Sequence, residues 1–219
     1  TAYIRINSMS QKYYITTPIY YVNDKPHIGH AYTTLACDVM ARFKRLDGYD
    51  VTFLTGTDEH GQKVEKAAEA AGLTPQHFTD QVSQNFRDLT KAMGFSNDDF
   101  IRTTEERHKA ACQRIWDILR DNGNIRLGKY EGWYSVRDET FFAETELVDG
   151  MAPTGAPVEW VEEPSYFFNL SAWQDKLLAF YNKNPYFVGP ESRFNEVKSF
   201  VKSGLRDLSV SRASFKWGV

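Results

Sequence analysis

Two closely spaced histidines are the first residues in this sequence that could do chemistry. His27 and His30 are separated by Ile28 and Gly29; an apolar, strand-like segment (13–19) comes before them and a helical pattern follows. Imidazoles can donate hydrogen bonds to phosphate oxygens whose negative charge grows in a transition state. Gly29 would let a nucleotide approach the backbone, and the start of a helix would offer free N–H groups to an anion. We therefore expect this segment to bind a polyphosphate.

A second cluster follows a short β-branched run (51–55) that we interpret as a buried parallel strand. Asp58 and His60 lie within the sequence Gly-Thr-Asp-Glu-His-Gly, where a doubly wound fold places ligand-contacting residues. Asp58 could pair with the ammonium group of an amino acid, or it could simply cap the next helix. A metal site built from both histidine clusters is disfavoured, because catalytic zinc pairs usually lie i, i+4 on one helix. The residues alone leave the first two alternatives open.

These two motifs and their surroundings resemble the methionyl branch of the class I aminoacyl-tRNA synthetases. The resemblance is carried by the run from Thr16 to Asn23, by the His-x-Gly-His loop and by Gly56–Gly61. It implies ATP-dependent activation of L-methionine, with ATP bound together with Mg²⁺, to methionyl-adenylate and its transfer to tRNA(Met). In that case His27 and His30 would stabilise the charge that develops at phosphorus, and Gly29 would admit the nucleotide.

The resemblance also implies roles for residues that would otherwise be taken as core or surface. Asp58 would hold the amino group of methionine. The methionine pocket would be lined by Pro18, Ile19, Tyr21 and His60. Aromatic rings suit a polarizable thioether, although aromatics near a strand end are more often core residues. Supporting roles would fall to Asn23 and Arg212.

The order of the elements predicts a doubly wound, Rossmann-like α/β fold with a parallel sheet and a small mixed β/α insertion. We expect the first half of this catalytic domain at 13–124, the insertion at 125–204, and a strand that returns to the first sheet at 205–219, mainly 208–212. Residues 1–12 are expected to be an extraneous leader and the start of the protein. By resemblance, the second catalytic half is expected outside this sequence.

Composition limits the remaining functions. The net charge of −3 argues against a protein whose whole surface grips nucleic acid, and no apolar run approaches membrane-spanning length. The two cysteines are far apart, which indicates a reducing, cytoplasmic protein. Many relatives carry zinc-binding cysteines in the insertion, but Ser135 and Asp138 stand at the comparable stretch. We therefore expect no structural zinc.

Two alternatives stay open at this point. One is another nucleotidyltransferase with a His-x-Gly-His loop acting on a small substrate, and the aromatic insertion argues against it. The other is a non-catalytic fragment that binds tRNA or other RNA, and the intact histidine loop argues against that one.

Overall fold

In a computed structural model the chain forms two compact units, and the structure describes residues 10–138, 140–213 and 215–219. The first unit comprises the residues up to Gln113 together with Trp217–Val219, and the second comprises Arg114–Lys216. Most of the predicted leader (1–12) lies outside the described residues, while Lys12 already belongs to the first strand.

The first unit is built around one parallel sheet. Its elements are β1 (Lys12–Thr16), β2 (Tyr20–Tyr21), α1 (Ile28–Leu46), β3 (Asp50–Asp58), α2 (Gln62–Ala70), α3 (Pro75–Ala92) and β4 (Asp99–Arg102). The helix α4 (Glu106–Asp121) contains the point at which the two units divide. The strands β1 and β2 pair with β3 on one side and β4 pairs on the other, all of them parallel. This confirms the predicted α/β class with a parallel sheet.

The predicted first strand (13–19) is interrupted at Pro18. In the register, Thr16 lies opposite Leu54, whereas Tyr20 lies opposite Thr57, so the chain gains one residue relative to β3. Proline has no N–H to donate to a sheet, which explains why pairing stops at this point. The side chain of Thr17 stays buried in the interruption. The result is that β2 begins afresh beside the carboxyl end of β3.

The hydrophobic core of the first unit forms around the end of β2. It consists of Tyr20, Val22, Val64, Phe86 and Phe100, with Tyr21, Phe78, Val82 and Trp217 packed against it. The α3 residues in this set follow the helical spacing that the sequence predicts. Trp217 belongs to the same cluster, although it is distant in sequence from the other members.

The face that α1 buries differs from the one that its apolar residues suggest. The apolar residues of the helix recur at helical spacing (32, 35, 36, 39, 40, 43 and 46), which predicts that they form its buried face. They are exposed instead, and the buried residues are Thr34, Asp38 and Ala41. Asp38 accepts hydrogen bonds from the backbone N–H and hydroxyl of Ser96, both at 2.6 Å, and from Arg42 at 2.7 Å. These bonds outweigh burial and lower the pKa of Asp38. Polar contacts therefore fix α1 in the first unit.

The second unit contains an antiparallel sheet, and its helices include α5 and α6. Its elements are β5 (Ile125–Ser135), β6 (Thr140–Phe142), β7 (Glu159–Phe168), α5 (Gln174–Lys183), α6 (Glu191–Lys202) and β8 (Leu208–Ser209). The strand order is β6-β5-β7-β8. We expected 208–212 to return to the first sheet, but β8 pairs with β7 in the second sheet. The buried hydroxyl of Ser165 on β7, which contacts Ser209 at 2.6 Å and the carbonyl of Ser211 at 3.0 Å, holds the segment there.

A cluster of hydrogen bonds occupies the stretch in which the sequence resemblance leads us to look for zinc-binding residues. The hydroxyls of Ser135 and Thr154 donate to Asp138 at 2.9 and 2.6 Å. The backbone N–H of Asp138 donates back to Ser135 at 3.2 Å. These hydrogen bonds hold the turn together. The expected lack of structural zinc stays a prediction.

Candidate functional site

His27 and His30 cap the first turn of α1 for each other. The backbone N–H of His27 donates to Nδ1 of His30 at 3.0 Å, and the N–H of Gly29 donates to Nδ1 of His27 at 3.1 Å. The ring centroids are 3.8 Å apart. We expected the N–H groups at this helix start to face an anion directly, but that of Gly29 is engaged by His27. This N–H is therefore not free to bind an anion directly.

This cap fixes where each imidazole carries its proton. A neutral imidazole has one donor nitrogen and one acceptor nitrogen. Because Nδ1 accepts a backbone hydrogen bond in both His27 and His30, the proton of each ring lies on Nε2. Each ring therefore has an N–H donor on the side away from its cap. Such a pair suits the oxygens of a phosphate.

The ring of His30 is held by residues that sequence reasoning missed. Tyr20 meets it edge-on with centroids 4.8 Å apart, and Phe86 does so at 5.2 Å. The Tyr20 hydroxyl contacts the Thr34 hydroxyl at 2.7 Å, and Thr34 donates to the carbonyl of His30 at 2.9 Å. Burial and the neighbouring His27 lower the pKa of His30. Tyr20 is buried while Tyr21 is only partly buried, a difference that the alternation of side chains along a strand could have indicated.

Gly29 is required by the cap itself. A Cβ at this position would lie 2.9 Å from Cε1 and 3.1 Å from Nδ1 of His27. Real Cβ atoms essentially never approach another atom that closely, so any larger residue would displace the imidazole. The absence of a side chain at Gly29 therefore leaves His27 room for its capping position.

The residues predicted to bind the amino acid lie near the ends of β2 and β3. Tyr21 and Asp58 are direct neighbours in the parallel register, and the N–H of Val22 donates to the carbonyl of Asp58 at 3.3 Å. Pro18 and Ile19 are exposed in the interruption between β1 and β2. The sheet thus brings these predicted residues to one edge, as its carboxyl ends require.

Glu59, which sequence reasoning passed over, is the most strongly bonded residue of this edge. Its side chain is fully buried. Its Oε1 accepts from Thr57 at 2.6 Å and from Arg102 Nε at 2.7 Å. Its Oε2 accepts from Thr104 at 2.6 Å and from Arg102 Nη2 at 2.8 Å. A buried carboxylate with four donors fixes the backbone on both sides of it.

His60 follows Glu59 and is half-buried. Burial lowers the pKa of its imidazole; the nearby charges of Lys109 and His108 act in the same direction, and Glu59 opposes them. Its ring lies 5.4 Å from that of Trp217, at an interplanar angle of 57°. His60 is therefore neutral near pH 7 and packed against an aromatic side chain.

The two residues predicted to support the site make no contact among the described residues that tests that role. Asn23 is exposed in the turn that follows β2. Arg212 belongs to the second unit, where it donates to the hydroxyl of Ser209 at 2.7 Å and lies over the ring of Phe141. Their supporting roles stay predictions. In the part of the chain that the structure describes, no three histidine, cysteine or acidic side chains are grouped so that they could hold a metal ion.

Comparison with known proteins gives one consistent family. The family described as tRNA synthetases class I (M) matches residues 13–159 and 154–219. The methionine–tRNA ligase of Rickettsia conorii is 70% identical over 96% of this chain, and that of Mesorhizobium japonicum is 62% identical over 95% of it. In both cases the chain spans 42% of the relative's length.

Solved structures show the same likeness. The methionyl-tRNA synthetase of Mycobacterium tuberculosis in complex with methionyl-adenylate is 55% identical and has a TM-score of 0.90; the match covers 95% of this chain and 42% of the solved one. The ligand-free form of the enzyme from that organism gives a TM-score of 0.76 at 50% identity, over 95% and 40% of the two chains. The similarity thus extends over nearly the whole of this chain.

Proposed function

Because this chain belongs to the class I tRNA synthetases (M), we propose that it supplies the ATP- and methionine-binding part of a methionine–tRNA ligase. The family membership confirms the resemblance that the sequence motifs indicated. In this proposal the complete protein activates L-methionine with magnesium-bound ATP to methionyl-adenylate and then transfers methionine to tRNA(Met). The cytoplasm is the proposed location. No helix within the described residues is long and apolar enough to cross a membrane.

The reciprocal cap of His27 and His30 is the observation that carries this proposal. When the methionine carboxylate attacks the α-phosphorus of ATP and pyrophosphate leaves, negative charge grows on the phosphoryl oxygens. The two Nε2–H groups are donors whose hydrogen bonds strengthen as that charge grows. The lowered pKa of His30 keeps this imidazole neutral near pH 7, so that its Nε2–H acts as a fixed dipole.

The protein needs to supply little covalent chemistry for this reaction. The carboxylate of methionine is already the nucleophile and pyrophosphate is a good leaving group, so that positioning and electrostatics carry most of the catalysis. The backbone bonds to both Nδ1 atoms hold His27 and His30 before the substrates arrive. Such preorganised donors do not have to reorient during the reaction.

Recognition of methionine is assigned to the neighbouring edge. The carboxylate of Asp58 would pair with the ammonium group of the amino acid, a charge-assisted contact. Tyr21 lies beside it in the register, and its ring would contact the thioether together with Ile19 and Pro18. His60 would close this pocket with a neutral imidazole.

Amino-acid-dependent exchange of pyrophosphate into ATP tests the proposal in the full-length protein. We expect exchange that requires methionine and is not supported by leucine, isoleucine or valine. Exchange that depends on another amino acid, or on none, would overturn the assignment in favour of a different nucleotidyltransferase. Binding of tRNA with no binding of ATP or methionine would favour a non-catalytic RNA-binding role.

A further inference from the structure

Trp217 forms two hydrogen bonds with the turn that follows β3. Its indole Nε1–H donates to the backbone carbonyl of Glu59. Its own carbonyl accepts the N–H of Gly61 at 3.1 Å. These bonds lie on either side of His60, whose ring contacts the Trp217 ring. The turn is therefore bonded through both of the residues that flank His60.

Trp217 is itself anchored. Its side chain packs against the hydrophobic core of the first unit, next to the cluster that contains Val22 and Phe86. An indole held by packing loses little further freedom when it makes a hydrogen bond. Trp217 thus links the turn to the hydrophobic core of the first unit.

The Glu59 side chain also fixes this turn. The carboxylate is bonded to Arg102, and Arg102 Nη2 also contacts Asp80 at 2.6 Å. The backbone N–H of Glu59 donates to the hydroxyl of Thr103 at 2.9 Å. Glu59 is thus held through its N–H, its carboxylate and its carbonyl, and the carbonyl bond comes from Trp217. The backbone of Asp58 and His60, one residue away on each side, is restricted by the same bonds.

We propose that Trp217 is a positioning residue for methionine recognition, which acts by holding the Asp58–His60 turn in the shape that binds the amino acid. This inference rests on the proposed function. Trp217 is not required to touch the substrate. Loss of the indole N–H leaves the Glu59 carbonyl without this bond, so that Asp58 and His60 no longer meet methionine in a single arrangement.

The test compares Trp217→Phe with Trp217→Leu in the full-length protein, using methionine-dependent pyrophosphate exchange. Phenylalanine keeps an aromatic ring beside His60 but lacks the indole N–H, whereas leucine lacks both. We expect Trp217→Phe to raise the KM for methionine about three- to tenfold, which is the effect of one buried hydrogen bond, and Trp217→Leu to raise it further. The KM for ATP should stay within about twofold of the original value. Trp160→Phe, at a half-exposed tryptophan of the second unit, is the matched control and should leave both values unchanged.

The split between the two parameters separates positioning from folding. A variant that merely unfolds lowers the active fraction and therefore kcat, but leaves both KM values alone. An unchanged KM for methionine in Trp217→Phe and Trp217→Leu would overturn the inference while leaving the proposed function intact. The absence of methionine-dependent exchange in the unmodified protein would overturn both.

Discussion

The ring of Tyr20 supports the ring of His30 edge-on, with centroids 4.8 Å apart. The two residues are also linked through Thr34, whose hydroxyl contacts that of Tyr20 at 2.7 Å and donates to the His30 carbonyl at 2.9 Å. Burial raises the pKa of the Tyr20 hydroxyl, which keeps it neutral. Tyr20 thus connects the hydrophobic core directly to a histidine of the candidate site.

Tyr20→Phe separates the two contributions of this residue. The ring contact with His30 is kept, while the hydroxyl that bonds Thr34 is lost. We expect the free energy of unfolding, measured with urea, to fall by about 1 kcal/mol, with adenylate formation little changed. Tyr14→Phe is the control because Tyr14 is 61% exposed. If both variants were equally stable, the buried hydroxyl would contribute nothing.

His30→Ala should affect the chemical step rather than amino-acid binding. It removes one Nε2–H donor and the acceptor for the His27 backbone N–H. We expect adenylate formation to slow by about ten- to a thousandfold while the affinity for methionine changes little, as measured by single-turnover kinetics and equilibrium binding. His77→Ala, at an exposed histidine of α3, should have no such effect. A loss confined to methionine affinity would contradict the role given to His30.

The sequence predicts the order and class of the elements well, because periodicity and turn residues record local structure. Thr74 with Pro75 marks the start of α3, and the β-branched run 51–55 marks β3. Contacts between residues far apart in sequence leave weaker traces. The buried bonds of Asp38 with Ser96 reverse the expected face of α1, and no local pattern signals them.

The candidate site shows the same division. The types and spacing of His27, Gly29 and His30 point to phosphate, yet the reciprocal cap depends on side-chain rotation that a sequence does not specify. Glu59 appeared to be a mere neighbour of Asp58, because its partner Arg102 lies on another strand. Trp217 likewise reaches the site only through the return of the chain to the first unit.

Gly29→Ala should uncouple stability from activity. A Cβ 2.9 Å from His27 Cε1 forces the imidazole to rotate, so the cap from Gly29 is lost. That loss costs about 0.5–2 kcal/mol, while alanine favours the helix over glycine by about 1 kcal/mol. We expect little change in the urea midpoint but at least about a tenfold slower adenylate formation. Gly218→Ala, where a Cβ would meet nothing within 4 Å, should preserve the rate.

Arg102→Met should destabilise the protein more than the same change at an exposed arginine. It leaves the fully buried Glu59 carboxylate without its cation, and breaking a buried pair in this way costs about 3–5 kcal/mol. Arg120→Met removes an arginine whose partners are exposed, and should leave the urea midpoint almost unchanged. The double change Glu59→Leu with Arg102→Met should recover part of the loss in urea unfolding. If Arg102→Met and Arg120→Met lowered the free energy of unfolding equally, the Glu59 carboxylate would have to be solvated.

The imidazoles of His30 and His60 should titrate below the ordinary histidine value of about 6.5. Burial lowers both pKa values, helped by His27 at His30 and by Lys109 at His60. The unfolded chain therefore binds more protons than the folded protein between the folded pKa values and about pH 6.5, so that stability rises with pH through this window. The stability that these two histidines contribute is complete above about pH 6.5, and it is lost as the pH falls toward their pKa values in the folded protein. NMR titration of the imidazole signals, assigned with His30→Asn and His60→Asn, measures the midpoints directly. Midpoints at or above 6.5 would show that the two rings are solvated and would contradict the lowered pKa assigned to each of them.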